Sequence, residues 1–223
     1  MLARSGPLPR GRGWIFEPKL DGYRCMVCTH AGFRARGRRG WDMTPLLPEF
    51  GRVLPANVQL DGELVALDRA GLPDFHRLSA RMLHGDTSVS VTYFVFDVLA
   101  VEGLATTSQP YSERRALLEA LDLEGPYVRL VATFEDGEAL FAAVSDRGLE
   151  GVVAKRERDR YRPGERQWVK TKNRATARFA EELARGRPPR RPTRRAPRRP
   201  VLGDPTRHPR PRRHPPRRGP RRP

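Results

Sequence analysis

The sequence predicts an α+β domain followed by a tail that has no core, and three observations lead there. Residues 58–67 and 91–98 are runs of β-branched and aromatic residues with the pattern of strands. Residues 74–83, 112–121 and 133–147 carry apolar residues at helical spacing. At residue 186 the composition changes, because 186–223 holds fifteen arginines, twelve of the 22 prolines and a single acid, Asp204. Its only hydrophobic residues are Ala196, Val201 and Leu202, too little apolar surface to offset chain entropy, so disorder is expected there. Of the formal net charge of +17, +14 lies in this tail and only +3 in residues 1–185. Residues 1–185 are therefore read as one domain of ordinary charge, long enough to bury a core, and 186–223 as a basic Arg/Pro-rich tail.

Membrane and disulfide classes receive no support. No apolar run approaches the ~18 residues that cross a bilayer, and Met1-Leu2-Ala3-Arg4 lacks the apolar centre of a signal peptide, so a cytoplasmic chain with no membrane partner is expected. Cys25 and Cys28 form a lone C-x-x-C, but period-two alternation in a strand points them to opposite faces, and no second pair completes a zinc site.

Taken in order, 14–16 and 23–29 read as two strands flanking a turn. Within it, Glu17-Pro18-Lys19-Leu20-Asp21-Gly22-Tyr23-Arg24 places a lysine directly before the turn dipeptide Asp21-Gly22, which lets Arg24 return to the same pocket. Lys19 is read as a nucleophile, which must be neutral to attack phosphorus and so needs cations or a metal beside it; an ordinary hairpin corner is the alternative. Residues 33–40 are a basic, glycine-broken turn whose amides and guanidinium groups suit phosphate or ribose oxygens, or else a solvated hairpin.

In 58–67, Asp61-Gly62-Glu63 sets two carboxylates inside an apolar run, so they either cap a bulge or project into a polar site; the site is favoured for Glu63. Phe75, Leu78 and Met82 share the core face of the first helix. In 91–98, Phe94 and Phe96 lie on one face and Tyr93, Val95 and Asp97 on the other; a ring there is either core or one wall of a purine slot. Ser112 is expected to cap a covering helix that turns Leu117, Leu118 and Leu121 inward. Thr133 is expected to cap the next, with Leu140, Phe141 and Val144 on the core and Gly148 at its end. Glu150 opens a strand that runs to Lys155. In the last strand, 168–172, Trp168, Lys170 and Lys172 share one face; two like charges there call for an anion, or else form a solvated face. A short helix is expected over 174–185.

The order Lys19-x-Asp21-Gly22-x-Arg24, Arg36, Asp61-Gly62-Glu63, Phe96-Asp97, Glu150-Gly151 and Lys170-x-Lys172 resembles the covalent nucleotidyltransferases. With Glu17-Pro18-Lys19, Tyr161-Arg162-Pro163-Gly164 and Trp168-Val169-Lys170, residues 1–180 look most like the adenylation domain of ATP-dependent DNA ligases of the bacterial end-joining type. The resemblance implies a nucleotidyltransferase (ATP-grasp-like) fold of antiparallel sheets flanked by helices. It also implies ATP and Mg²⁺ or Mn²⁺ as cofactors, and nicked or broken double-stranded DNA, with other end-joining repair proteins, as partners. Lys19 would attack the α-phosphate of ATP, AMP would pass to a DNA 5′-phosphate, and a 3′-hydroxyl would displace it.

Carried over by position, Glu17 belongs to the nucleotide-binding set. Arg24 and Arg36 contact ribose or DNA phosphate, Glu63 the ribose, and Phe96 stacks on adenine. Glu150 and Glu63 hold the metal, and Lys170 and Lys172 grip the α-phosphate. Two departures stand out. Ala35-Arg36 replaces the usual Ser-Arg and is followed by a longer basic turn. Such ligases also continue into an OB-fold domain, which nothing after Arg185 has the composition to form; the tail composition is compatible with out-of-frame reading of a GC-rich gene. An RNA-ligase or capping-type enzyme, or a non-catalytic DNA-binding remnant, are the alternative functions.

Overall fold

Short strands succeed one another along most of the described residues, 1–173 of the computed structural model, with three α-helices set between them. The strands are β1 (Ala3–Ser5), β2 (Trp14–Lys19), β3 (Tyr23–Cys28), β4 (Arg34–Gly37), β5 (Val58–Val65), β6 (Thr92–Val101), β7 (Leu104–Ala105), β8 (Val128–Leu130), β9 (Gly151–Arg156) and β10 (Trp168–Lys172). The helices are α1 (Phe75–His84), α2 (Tyr111–Ala120) and α3 (Gly137–Asp146). These residues belong to a unit spanning Met1–Gly186; the second unit, Arg187–Pro223, the expected tail and the helix expected over 174–185 lie outside the described residues.

Two sheets carry the fold. One has the order β1-β10-β9-β2, the other β4-β3-β5-β6-β7, with β8 added beside β6. Pairing is mostly antiparallel, as expected, but β1 runs parallel to β10 and β8 parallel to β6, so both sheets are mixed. Under the second sheet lies the largest core, with Leu60, Leu64, Val95 and Phe50 packed against Leu78 of α1 and Leu118 of α2. Burial of each such side chain contributes about 1.5–3 kcal/mol. Phe16, Val152 and Val169 of the first sheet bury Leu140 and Val144 of α3. A third cluster joins both sheets, with Trp168 from β10 and Leu99 from β6 meeting Tyr161.

Three expectations are corrected here. The Lys19 turn is not a hairpin corner, because β2 and β3 belong to different sheets and the bend at Asp21-Gly22 carries the chain between them. Ser112 does not cap α2: Pro110 is the N-cap residue, and the Ser112 amide donates to the Glu157 carbonyl oxygen at 3.0 Å. Thr133 does not cap α3 either. Phe134 instead exchanges two 2.8 Å backbone bonds with Phe16, and the helix starts after Asp136, whose side chain accepts from the Ala139 amide. Gly148 follows α3 with a φ of 67°, the left-handed ending expected. No helix among the described residues is long and apolar enough to cross a membrane.

Candidate active site

Two close backbone approaches place the central lysine. At Gly22 a Cβ would collide with the Leu64 carbonyl oxygen, so only glycine lets the bend after Lys19 press against β5. At Gly151, with φ 146°, a Cβ would collide with the Thr171 carbonyl oxygen, so β9 and β10 start side by side. Lys19 pairs with Gly151 in the ladder, and that register brings Glu150 to both neighbouring strands. Lys19 Nζ donates to Glu150 Oε2 at 2.5 Å, and Lys172 Nζ lies 3.4 Å from Glu150 Oε1. For Lys172, one of the two strand lysines between which an anion was expected, the chain itself supplies a carboxylate.

Lys19 opens onto a cleft of about 620 Å³ that also receives Glu17, Arg24, Glu63, Phe96 and Lys170. Six sequence-predicted residues therefore converge. Glu150 joins them through Lys19, and Lys172 through Glu150; the Lys172 side chain keeps 45% of its surface. Lys170 is held below the ordinary lysine range, first by burial and then by the nearby Lys19 and Lys172. Glu63 is pushed up to about 8, chiefly by burial.

Arg36 does not join this set. It is exposed on β4, opposite Met26 and Asp42, and it is Arg38, two residues on, that lines the cleft. The arginine that reaches the cleft therefore comes from the basic turn and not from the strand. Period-two alternation sets Arg34 and Arg36 on one face and carries no signal that Arg38, in the turn after β4, is the one at the cleft.

Below the cleft the charges are paired. Arg24 donates to both Asp61 oxygens at 2.9 and 2.5 Å, Tyr161 donates to the same carboxylate at 2.7 Å, and the guanidinium lies over Phe96 and Trp168 at 5.5 and 5.3 Å. Asp97 accepts two bonds from Arg114, at 2.7 and 2.9 Å, which ties α2 to β6. Neither pair was foreseen from sequence. For Asp61-Gly62-Glu63, both alternatives hold. The β5–β6 register shifts at Asp61/Gly62, leaving Phe96 as the extra residue of β6, while Glu63 projects into the cleft. The bulge re-aims the Phe96 ring toward the cleft. Cys25 and Cys28 are free thiols, one buried and one half-buried.

Glu17 and Glu63 are acceptors within a cleft otherwise rich in cations, among them Lys19, Arg38, Arg166 and Lys170. Such a site suits an anion flanked by an aromatic face. Among the described residues no group of three or more His, Cys, Asp or Glu forms a metal cage. Glu150 and Glu63 instead fit a divalent ion carried in on phosphates, since Mg²⁺ is commonly held by one or two carboxylates with water and substrate oxygens.

Over most of its described residues the chain is similar to known proteins. The profile of the family described as "ATP dependent DNA ligase domain" matches residues 7–172. The multifunctional non-homologous end joining DNA repair protein LigD of Mycobacterium tuberculosis is 37% identical over 183 residues, covering 78% of this chain and 24% of that protein. The LigD of Pseudomonas aeruginosa is 40% identical over 174 residues, 74% of this chain and 20% of its own length. This chain thus spans about a quarter or less of these relatives. Among solved structures, the ligase domain of M. tuberculosis LigD superposes with a TM-score of 0.67 at 36% identity, covering 77% of this chain and 58% of that one. A mycobacterial DNA ligase D complexed with ATP superposes with a TM-score of 0.66.

Proposed function

Because this chain belongs to the family of ATP-dependent DNA ligase domains, we propose that it transfers AMP from ATP through Lys19 to the 5′-phosphate of nicked or broken double-stranded DNA, for end sealing in repair. One observation carries the reading: Lys19 stands at the end of β2, bonded to Glu150, in the same cleft as Lys170 and the Phe96 ring. The lone pair of Lys19 Nζ attacks the α-phosphorus, a P–N bond forms, and the bond from phosphorus to the bridging oxygen breaks as pyrophosphate leaves with the electron pair. Glu150 Oε2, 2.5 Å from Nζ, is the nearest acceptor for the released proton. Lys170, and Lys172 beside Glu150, neutralise charge on the α-phosphate, and Phe96 stacks on the base. Glu17 accepts from its exocyclic amine, and Arg38 takes the ribose or phosphate contact that the resemblance gave to Arg36. Positioning and charge neutralisation are most of what phosphoryl transfer asks of a protein. Glu150 and Glu63 would hold a magnesium or manganese ion, which would supply charge neutralisation on the phosphates.

DNA 5′-phosphate then takes the AMP from Lys19, and a 3′-hydroxyl displaces it to seal the strand. Residues 1–185 form the transferring module. The fifteen arginines of 186–223 add salt-sensitive, sequence-blind affinity for DNA, in the cytoplasm and beside other end-joining proteins. The test is incubation with α-labelled ATP and Mg²⁺ followed by a denaturing gel. A labelled band should form and be absent in Lys19→Ala; label persisting in that variant, or none in the unaltered chain, refutes the assignment. Deleting 186–223 should leave labelling intact while nonspecific DNA affinity at low salt falls at least tenfold, and unchanged DNA affinity would rule out the role given to the tail.

A further inference from the structure

Lys155 lies on β9 yet is only 1% exposed. Its Nζ sits 2.7 Å from Glu17 Oε1 and donates to the Phe96 carbonyl oxygen at 2.9 Å. Three ring centroids surround it, Trp168 at 4.5 Å, Phe96 at 4.6 Å and Tyr111 at 4.9 Å, all within the distance at which an aromatic face stabilises an ammonium. Phe96 is a bulge residue, without a register partner on β5 or β8, so Lys155 holds a residue of β6 that those ladders leave loose. Glu17 also accepts from the Tyr111 hydroxyl, at 2.6 Å and again on Oε1. Lysines are rarely buried unless paired, and this one ties three elements, β2, β6 and α2, at one wall of the cleft.

Resting on the reading that the cleft takes ATP, we propose that Lys155 is a positioning residue that sets which purine is accepted. It fixes the Phe96 ring and keeps Glu17 an ionised, acceptor-only carboxylate facing the base edge. A 6-amino purine donates to that carboxylate, whereas a 6-oxo purine presents a second acceptor and is refused. Burial pushes the Glu17 carboxyl above the usual carboxylate range, and Lys155 is the largest influence opposing it, ahead of the Tyr111 hydroxyl and Arg115. Without Lys155 the carboxyl takes up a proton, and its O–H becomes a donor that a guanine O6 can receive.

The experiment compares covalent labelling by MgATP and MgGTP in the full chain, in Lys155→Met and in Glu17→Gln, with circular dichroism to establish folding. In the unaltered chain ATP should lead GTP in kcat/KM by roughly 10⁴-fold, the scale on which a site built to hydrogen-bond a substrate group rejects the analogue that lacks it. Lys155→Met should narrow that ratio at least tenfold, through KM more than kcat. Glu17→Gln, whose amide both donates and accepts, should narrow it likewise and carries the test alone if Lys155→Met does not fold. A folded variant that discriminates as the unaltered chain does overturns the inference and leaves the ligase reading standing. So does an unaltered chain labelled equally by both nucleotides. A chain labelled by neither overturns the ligase reading and this inference with it.

Discussion

Glu63 offers a test that needs no substrate. Its carboxyl is pushed up to about 8, first by burial, with Asp61 and Glu150 adding to the shift and Lys19 and Arg24 opposing it. In the unfolded chain the group titrates near its ordinary 4.5. Below that value both states hold the proton, and ionisation makes no difference to stability. Between about 4.5 and 8 the native state keeps a proton that the unfolded state has released, so stability falls as pH rises. Above 8 the loss is complete. A shift of that size corresponds to roughly 4 to 5 kcal/mol at 1.36 kcal/mol per pH unit. Because Glu63 keeps some contact with solvent, roughly 2 to 4 kcal/mol is the expected effect.

Glu63→Gln removes the ionisation while keeping the shape of the side chain. Urea unfolding of both chains, followed by tryptophan fluorescence from pH 5 to 9 without nucleotide, isolates the contribution of Glu63 as a difference. Near pH 5 the two chains should differ little. By pH 8.5 the glutamine chain should be the more stable by the amount given above. Parallel pH profiles, or a difference that widens toward acid instead, would refute the placement of this carboxyl in a shielded site.

Two further outcomes follow from the geometry. Arg38→Ala should raise the KM for ATP in labelling at least fivefold, while Arg36→Ala changes it less than twofold; the reverse order would return the ribose or phosphate contact to Arg36. Asp97→Ala strips the buried Arg114 of its partner and should lower stability by about 3 to 5 kcal/mol in urea unfolding, the cost of an uncompensated buried charge, with a loss under 1 kcal/mol contradicting the buried pair.

Residue type and order made the meeting of these side chains legible, because the nucleophile, stacking ring and phosphate clamp proposed here each demand a chemistry that few side chains supply. Lys19, Glu63, Phe96 and Lys170 meet in one cleft for that reason. Strand and helix interiors were legible from period alone, as with Leu140 and Val144 or Leu78 and Met82. The start of α1 was legible too, at Asp74, but the caps of α2 and α3 were not, because distant backbone intervenes: Phe16 draws Phe134 into a bridge, and Glu157 takes the amide of Ser112. Sheet membership was hidden for the same reason, since nothing local to Asp21-Gly22 says whether the next strand pairs with the last.

Lys155 shows the limit most clearly. Read locally, a lysine on a strand that opens Gly151-Val152-Val153-Ala154 is a polar end reaching for water. Its burial depends on a carboxylate from β2, a carbonyl freed by a bulge in β6 and rings from α2 and β10. No single window of the chain contains those partners. The same is true of Arg24 with Asp61 and of Arg114 with Asp97, so the cations proposed to face phosphate can be read from sequence, whereas those that hold the walls in register need the fold to assemble their counter-charges. Lys19 and Lys172 share a single carboxylate, Glu150, whereas Lys155, Arg24 and Arg114 each have a carboxylate of their own from another element, and that difference separates the two classes once the structure is known.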